Sequence, residues 1–320
     1  MSAKLICVSH TPLMDFSSPP IEVEQRARQV LSELADEVSA YSPDLIILFG
    51  PDHFNGFFYD LMPPACIGIH ATAAGDWDMG PGAISVPERE ALCLIKTVLS
   101  EGVGTAYSYR MTADHGITQP LLFLTGSLTT YPVIPIFING AAMPLMPMSY
   151  AVKLGRAVGK YLKTLVTHKK VLILGSGGLS HDPPTPQMGS VSPEMEEFLI
   201  AGRNPTPESR AIRQEKVKAV GVKMSIGEGH ALPLNADWDQ GLLQSFVQGD
   251  FERFEHMTDE EICRLGGKGG HEIRCWVAAC AAMNEIQPYQ AEIRYYEPIQ
   301  EWIAGFGALT ASHAPVTNDA

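Results

Sequence analysis

Residues 4–12 read KLICVSHTP: a short apolar run, then a histidine, then a proline. The same order returns at residues 44–53, DLIILFGPDH, and at residues 171–181, VLILGSGGLSH. Such runs of aliphatic and β-branched residues, bounded by glycine and proline, predict buried and mostly parallel strands. Helical spacing over residues 21–41 supplies the crossover that parallel strands need. The sequence therefore predicts an α/β fold, a single domain with a mainly parallel or mixed central sheet flanked by helices.

His10, His53 and His181 each follow the carboxyl end of one of these strands. In open α/β sheets ligands bind beyond that edge, so three imidazoles delivered there predict a metal or acid–base site. Glu272 follows the glycine-rich residues 266–270, GGKGG, which let the backbone pack closely against a neighbour. Two strand-end histidines and this carboxylate would form a ligand set that suits non-haem Fe(II). The same set also fits catalytic zinc.

The glycine loop before His181 has two other interpretations. Residues 175–178, GSGG, could cradle a phosphate, but no P-loop lysine follows and no GxGxxG is formed. Ser176 lacks the GxSxG elbow of a serine nucleophile. His115 follows an acid that could orient it, although a buried histidine is more often a core residue.

The composition is that of an acidic globular protein. The 320 residues carry 23 Lys+Arg against 36 Asp+Glu, a net charge of −13, which disfavours nucleic acid or a membrane as a partner. No apolar run has transmembrane length, and the first residues do not resemble a signal peptide. The 6 cysteines form no CxxC pair, which predicts reduced thiols. We therefore expect a cytoplasmic protein. Since the sequence has no internal repeat and no low-complexity linker, we expect residues 1–320 to form a single domain.

Three segments have a less regular pattern. Residues 63–86, rich in Gly, Pro and Ala, predict a long irregular excursion. The polar, proline-rich residues 182–225 predict a variable insertion or lid, helical near residues 208–218. Residues 131–138, YPVIPIFI, predict a buried strand whose prolines favour an edge or a strand end. Aromatic residues 54–60 are either core or the wall of a pocket.

Most of the chain, in order, resembles the class III extradiol ring-cleaving dioxygenases. The matching segments are VSHTP at 8–12, GPDHFNGFFYD at 50–60, DHG at 114–116, GSGGLSH at 175–181, HEI at 271–273 and YYEPIQEWIAGFG at 295–307. The similarity is weakest over about 182–225 and at residues 311–320. Taken together, these motifs are highly specific.

The resemblance implies an Fe(II) ion held by His10, His53 and Glu272, with O₂ as co-substrate. It implies that His115 and His181 are acid–base residues. The implied reaction opens the ring of a small aromatic substrate, a 3-substituted catechol with a propionate side chain or its cinnamate analogue. It also implies a homo-oligomer. Candidate pocket residues are Asp114, Phe54, Tyr59, Asn235, Trp238 and Asp239.

Two other functions fit the same residues. One is a zinc-dependent hydrolase or lyase on the same scaffold, and the other is a metal-free binding protein that keeps the pocket. Arg110 precedes His115 by a few residues and is one candidate cation for a substrate carboxylate. The alternative interpretation of Arg110 is a solvated surface residue.

Overall fold

The computed structural model describes residues 3–203, 205–228 and 231–313. The strands are β1 Ala3–Val8, β2 Leu45–Gly50, β3 Ala65–Gly68, β4 Ala71–Ala74, β5 Pro81–Ile84, β6 Ala106–Ser108, β7 Met111–Ala113, β8 Val133–Ile138, β9 Val171–Ser176, β10 Tyr289–Ile299 and β11 Ala304–His313. The helices are α1 Ile21–Tyr41, α2 Glu88–Ser100, α3 His115–Thr125, α4 Met148–Leu165, α5 Pro193–Ala201, α6 Pro207–Ser225, α7 Ala236–Gln248, α8 Phe251–His256, α9 Asp259–Gly266 and α10 Ile273–Ile286. Short 3₁₀ turns lie at Pro12–Asp15, Gly269–Glu272 and Gln300–Trp302.

The main sheet has 8 strands in the order β10-β11-β1-β9-β2-β8-β3-β6. Its centre is parallel: Val8 of β1 is in register with Ser176 of β9, and Phe49 of β2 with Gly175. β11 and β3 join this centre in antiparallel orientation. The α/β prediction with a mixed central sheet is therefore confirmed. A smaller sheet contains β5, β4 and β7.

Helices cover both faces of the main sheet. Helices α2, α4 and α10 belong to the core on one face, and α1 and α3 to the core on the other. Helices α4 and α10 approach each other so closely that a Cβ on Gly155 would lie 2.2 Å from the carbonyl oxygen of Ala278. This contact fixes α10, and with it the turn that precedes α10, against the sheet. None of the described helices has the length and apolar character that crossing a bilayer requires.

Two local predictions are wrong. Residues 63–86 are not irregular, because they contain β3, β4 and β5. β8 lies between β2 and β3 rather than at an edge. Pro135 has no N–H to donate to a neighbouring strand. β8 accommodates it because β3 pairs only with residues 136–138, so Pro135 lies just outside the antiparallel β3–β8 pairing.

Candidate metal centre and active site

The adjacent strands β1, β9 and β2 deliver His10, His181 and His53 to the same edge of the sheet. All three imidazoles face the Glu272 carboxylate. Oε1 of Glu272 lies 3.0 Å from Nε2 of His53 and 3.3 Å from Nε2 of His181, and Oε2 lies 3.9 Å from Nε2 of His10. The structure thus brings these four side chains, which we call the site floor, together from distant parts of the chain.

Glu272 ends the 3₁₀ turn Gly269–Glu272 and immediately precedes α10. The glycine-rich run before it packs against His181: a Cβ on Gly269 would lie 2.1 Å from Nε2 of that histidine. The backbone N–H of Gly178 donates to Oε2 of Glu272 over 3.2 Å. Glycines are therefore needed here because a side chain would occupy the position of the imidazole.

The outer nitrogens of two floor histidines have hydrogen-bond partners. Nδ1 of His10 lies 3.1 Å from the Ser176 hydroxyl, and Nδ1 of His53 lies 3.1 Å from Oδ2 of Asp114. Both Nε2 atoms are left facing the carboxylate. Two ligands at right angles on one metal ion lie about 3 Å apart, which matches the His53–Glu272 distance. This donor set, with its supported outer nitrogens, fits a divalent metal ion.

The charges of the floor also suit a cation. Burial lowers the pKa of His10 to about 3, which keeps this imidazole neutral. Burial raises the pKa of Glu272, but His181, His53 and His10 outweigh it and hold that pKa well below its usual range. Burial lowers the pKa of His53, yet Asp114 and Glu272 raise it well above its usual value. A bound metal ion would replace the proton on His53.

His115 begins helix α3, and its ring stacks on that of His53 with centroids 4.1 Å apart. Asp114 caps this helix by accepting a hydrogen bond from the Gly116 N–H. Nδ1 of His115 lies 2.6 Å from Oδ2 of Asp76, and the other oxygen of Asp76 is buried without a partner. His115 is therefore backed by a carboxylate.

His181 is backed by neutral groups instead. Its Nδ1 lies 3.0 Å from the carbonyl oxygen of Leu179. The preceding residue, Ser180, donates from its N–H and from its hydroxyl to the Asp239 carboxylate, each over 2.7 Å. Tyr296 donates to the same carboxylate over 2.7 Å. Asp239 thus fixes the loop that carries His181.

Donor-atom distances also allow other ligand groups. Atoms of His10, His53 and His115 all lie within 4.8 Å of one another, as do atoms of Asp76, Asp114 and His115. A site of three imidazoles is therefore the geometric alternative to the predicted set of His10, His53 and Glu272.

A cavity of about 690 Å³ opens above the floor. His10, His53, His115 and His181 line one end of it, and aromatic wall is contributed by Phe54, Trp77 and Trp302. The 182–225 segment also lines the cavity, with Met195, Arg210, Arg213 and Val217 among its residues. The cavity is large enough for a substituted aromatic ring.

Only Phe54 of the candidate pocket residues lies on the cavity wall. Asp114 is buried behind His53, and Tyr59 donates to the carbonyl oxygen of Met143. Asn235 caps helix α7, Trp238 packs on Gly266, and Asp239 holds Ser180. Apart from Phe54, the candidate pocket residues thus lie behind the cavity wall and do not line it. Arg110 lies in the exposed turn between β6 and β7 and does not line the cavity.

Sequence reasoning missed Asp76, Ser176 as a partner of His10, and the arginines of α6. Asp76 is 39 positions from His115 and carries no motif. For Ser176 a signal existed, because it lies at the carboxyl end of β9 between the strands that carry His10 and His53.

One protein family and one solved structure are similar to nearly the whole chain. A family model described as "Catalytic LigB subunit of aromatic ring-opening dioxygenase" matches residues 4–307. One solved structure, an uncharacterized protein from Escherichia coli K12, covers 97% of this chain and 99% of its own at 12% identity, with a TM-score of 0.47.

Three curated relatives share the name 2,3-dihydroxyphenylpropionate/2,3-dihydroxicinnamic acid 1,2-dioxygenase. The relative from Photorhabdus laumondii is 54% identical over 99% of both chains. The one from Azotobacter vinelandii is 47% identical over 97% of this chain and 99% of its own. The one from Cupriavidus pinatubonensis is 46% identical over 99% of this chain and 100% of its own.

Proposed function

Because the chain belongs to the family of catalytic LigB subunits of aromatic ring-opening dioxygenases, we propose that it performs extradiol cleavage of a 3-substituted catechol. The substrate that the relatives' names favour is 3-(2,3-dihydroxyphenyl)propanoate or its cinnamate analogue. The single observation that carries the proposal is the convergence of His10 and His53 on the buried Glu272 carboxylate, with both histidines lining an aromatic-walled cavity.

His10, His53 and Glu272 would hold Fe(II), with Ser176 and Asp114 orienting the two imidazoles. Held in this way, Fe(II) would bind the catechol and O₂ together and would relay electron density from the catecholate to O₂. Glu272 is favoured over His115 because it adds a negative charge opposite the cation.

His181 is suited to removing a proton from the catechol. Nδ1 of His181 is bonded to the Leu179 carbonyl, and Nε2 lies on the floor, 3.3 Å from Glu272. Burial lowers the pKa of His181, but Glu272 raises it above its ordinary value, so this imidazole can take up a proton from a catechol hydroxyl and hold it. A base placed there favours the catecholate that reacts with O₂.

His115 is suited to donating a proton on the other side of the substrate. The contact of Asp76 with Nδ1 orients the ring and leaves Nε2 as the nitrogen that can pass a proton to the substrate. Aromatic walls from Phe54, Trp77 and Trp302 keep water away from the ring while it opens. Both atoms of O₂ end in the ring-opened acid.

Oxygen uptake and product spectra test the proposal. Protein loaded with Fe(II) under reducing conditions is given a panel of 3-substituted catechols in an oxygen electrode. We expect one O₂ consumed per catechol and a yellow semialdehyde-type acid. A zinc-dependent hydrolase or lyase would instead turn over without O₂ after loading with zinc, and a binding protein would consume none. Either result would contradict the proposal.

The cellular location and the oligomeric state of the protein stay predictions. All 6 cysteines are free thiols, which supports a reducing compartment such as the cytoplasm. A homo-oligomer is proposed on the family resemblance alone, and a lid function for the 182–225 segment on its polar, proline-rich composition.

A further inference from the structure

Helix α6 presents cations to the cavity. Arg210, Arg213, Gln214 and Val217 all line it, a spacing that places them on one face of the helix. The apolar residues Ile212 and Val222 of this helix point to solvent instead, with 61% and 59% of their surface exposed. The helix therefore directs charge inward, toward the cavity, in a protein with a net charge of −13.

Both Nη atoms of Arg213 are occupied by backbone and side-chain acceptors, and only its Nε is buried without a partner. Its Nη1 donates to the carbonyl oxygens of Phe54 and His53, and its Nη2 donates to Oδ1 of Asn55 over 2.9 Å. These bonds connect α6 to the loop that carries His53. Arg213 is therefore a structural link between α6 and the floor.

Arg210 has donors to spare. Its Nη1 donates to the carbonyl oxygen of Ala74 over 2.8 Å, while its Nε is buried without a partner. Within the described residues no carboxylate forms an ion pair with it, whereas Arg203 and Arg294 on the surface have such partners. A buried donor without an acceptor costs roughly 1–3 kcal/mol unless a ligand satisfies it.

Arg210 is also placed on the correct side of the cavity. Ala74, which it contacts, lies two positions before Asp76, the partner of His115. A catechol on the floor with its ring beside His115 would extend a substituent toward this guanidinium. The other cations of the cavity fit less well, because Lys268 pairs with Asp182 at 3.7 Å and Lys216 is exposed.

We propose that Arg210 binds the carboxylate of the substrate side chain and so selects catechols that bear a propionate or acrylate group. This inference rests on the proposed function. The guanidinium offers Nε and Nη2 to the two carboxylate oxygens, the bidentate geometry that arginine forms with carboxylates.

Substrates with and without the charge test the inference. The variants are R210Q, R210K and, as a control, K223Q, an exposed residue of the same helix that does not line the cavity; the substrates are 3-(2,3-dihydroxyphenyl)propanoate and 3-propylcatechol. We expect R210Q to raise KM for the propanoate about 10- to 100-fold with kcat retained, and R210K to fall between R210Q and the wild type. KM for 3-propylcatechol should not change, and K223Q should behave as the wild type. Equal losses on both substrates, or no loss with R210Q, would overturn the inference.

A binding measurement separates this inference from the proposed function. Calorimetry with metal-free protein and 3-phenylpropanoate, which has the side chain but no hydroxyl groups, should show binding to the wild type that R210Q weakens about 10-fold or more. If the wild type cleaves neither catechol, the ring-cleavage proposal fails while this measurement still decides the role of Arg210. Equal affinity of the two proteins for 3-phenylpropanoate would contradict that role.

Discussion

The floor histidines and the 182–225 segment line the same cavity, but their polar groups are satisfied to different degrees. On the floor, His10 and Glu272 are 6% and 3% exposed, and the Nδ1 atoms of His10 and His53 have partners. In the 182–225 segment, the Nε atoms of Arg210 and Arg213 are buried without partners. Because the outer nitrogens of His10 and His53 are hydrogen-bonded, these imidazoles are held in place for one reaction. The unpartnered donor of Arg210 remains available for the substituent that distinguishes one catechol from another.

The largest effect is expected at the floor. Replacing Glu272 with Gln removes the negative charge that faces His53 and His10, so the metal site should be lost and turnover should fall at least about 10⁴-fold. Turnover is measured as oxygen uptake with saturating catechol and Fe(II). The exposed variant E215Q on α6 serves as the control. Turnover of E272Q within tenfold of the wild type would remove Glu272 from the site.

The next largest effect concerns proton transfer rather than metal binding. His115→Gln should lower turnover about 10²- to 10⁴-fold while the protein keeps its iron, because Asp76 and not the metal holds this side chain. Turnover and iron content are measured on the same preparation. A variant with full iron and full turnover would exclude His115 from the mechanism.

Much of the floor could be predicted from the sequence because its signals are local. An apolar run followed by histidine predicts a strand and the edge at which its side chain emerges. The glycines before Glu272 predicted a close approach, which proved to be to His181. The family resemblance then suggested which histidines accompany Glu272 in the ligand set, a choice that spacing alone had left open.

The contribution of helix α6 and of Asp76 to the site could not be predicted from such local sequence patterns. Helix α6 exposes Ile212 and buries the Nε atoms of Arg210 and Arg213, the reverse of the pattern from which a buried helix face is inferred. The pairing of Asp76 with His115 depends on how the loop around β4 and β5 folds back. Arg110 was the arginine nearest to His115 in sequence, but it lies in an exposed turn.

A smaller effect, on stability rather than turnover, is expected from the hydrogen bonds to Asp239, which fixes the loop that carries His181. Tyr296→Phe removes one of the hydrogen bonds to the buried Asp239, so the free energy of unfolding should fall by about 1–2 kcal/mol. Urea unfolding measures this, with the exposed Tyr107→Phe as the control. Since Ser180 keeps its two bonds to Asp239, turnover should change little. A large loss of turnover with unchanged stability would give Asp239 a direct role in the reaction instead.

The smallest effect is expected where the 182–225 segment meets the loop after β2. Arg203 donates from Nε and Nη2 to Asp60, and these bonds lower the pKa of Asp60. Both side chains are exposed, so Arg203→Gln should cost less than about 1 kcal/mol of unfolding free energy.

The pH dependence of this ion pair follows from the lowered pKa. Its contribution is present above the unfolded aspartate pKa of about 3.9 and is lost as the pH falls through the lower folded value. Urea unfolding of R203Q and the control R110Q at neutral pH, with and without about 1 M salt, measures it. A difference that salt does not reduce would mean that Arg203 acts through packing.

Iron binding by the ligand variants tests the central claim most directly. Anaerobic titration with Fe(II), followed by metal analysis after desalting, gives the number of iron atoms per chain. We predict one iron per chain for the wild type and for H115Q, and none for H10A, H53A or E272Q. Iron retained by E272Q but lost from H115Q would contradict the account, because the ligands would then be three imidazoles rather than two imidazoles and one carboxylate.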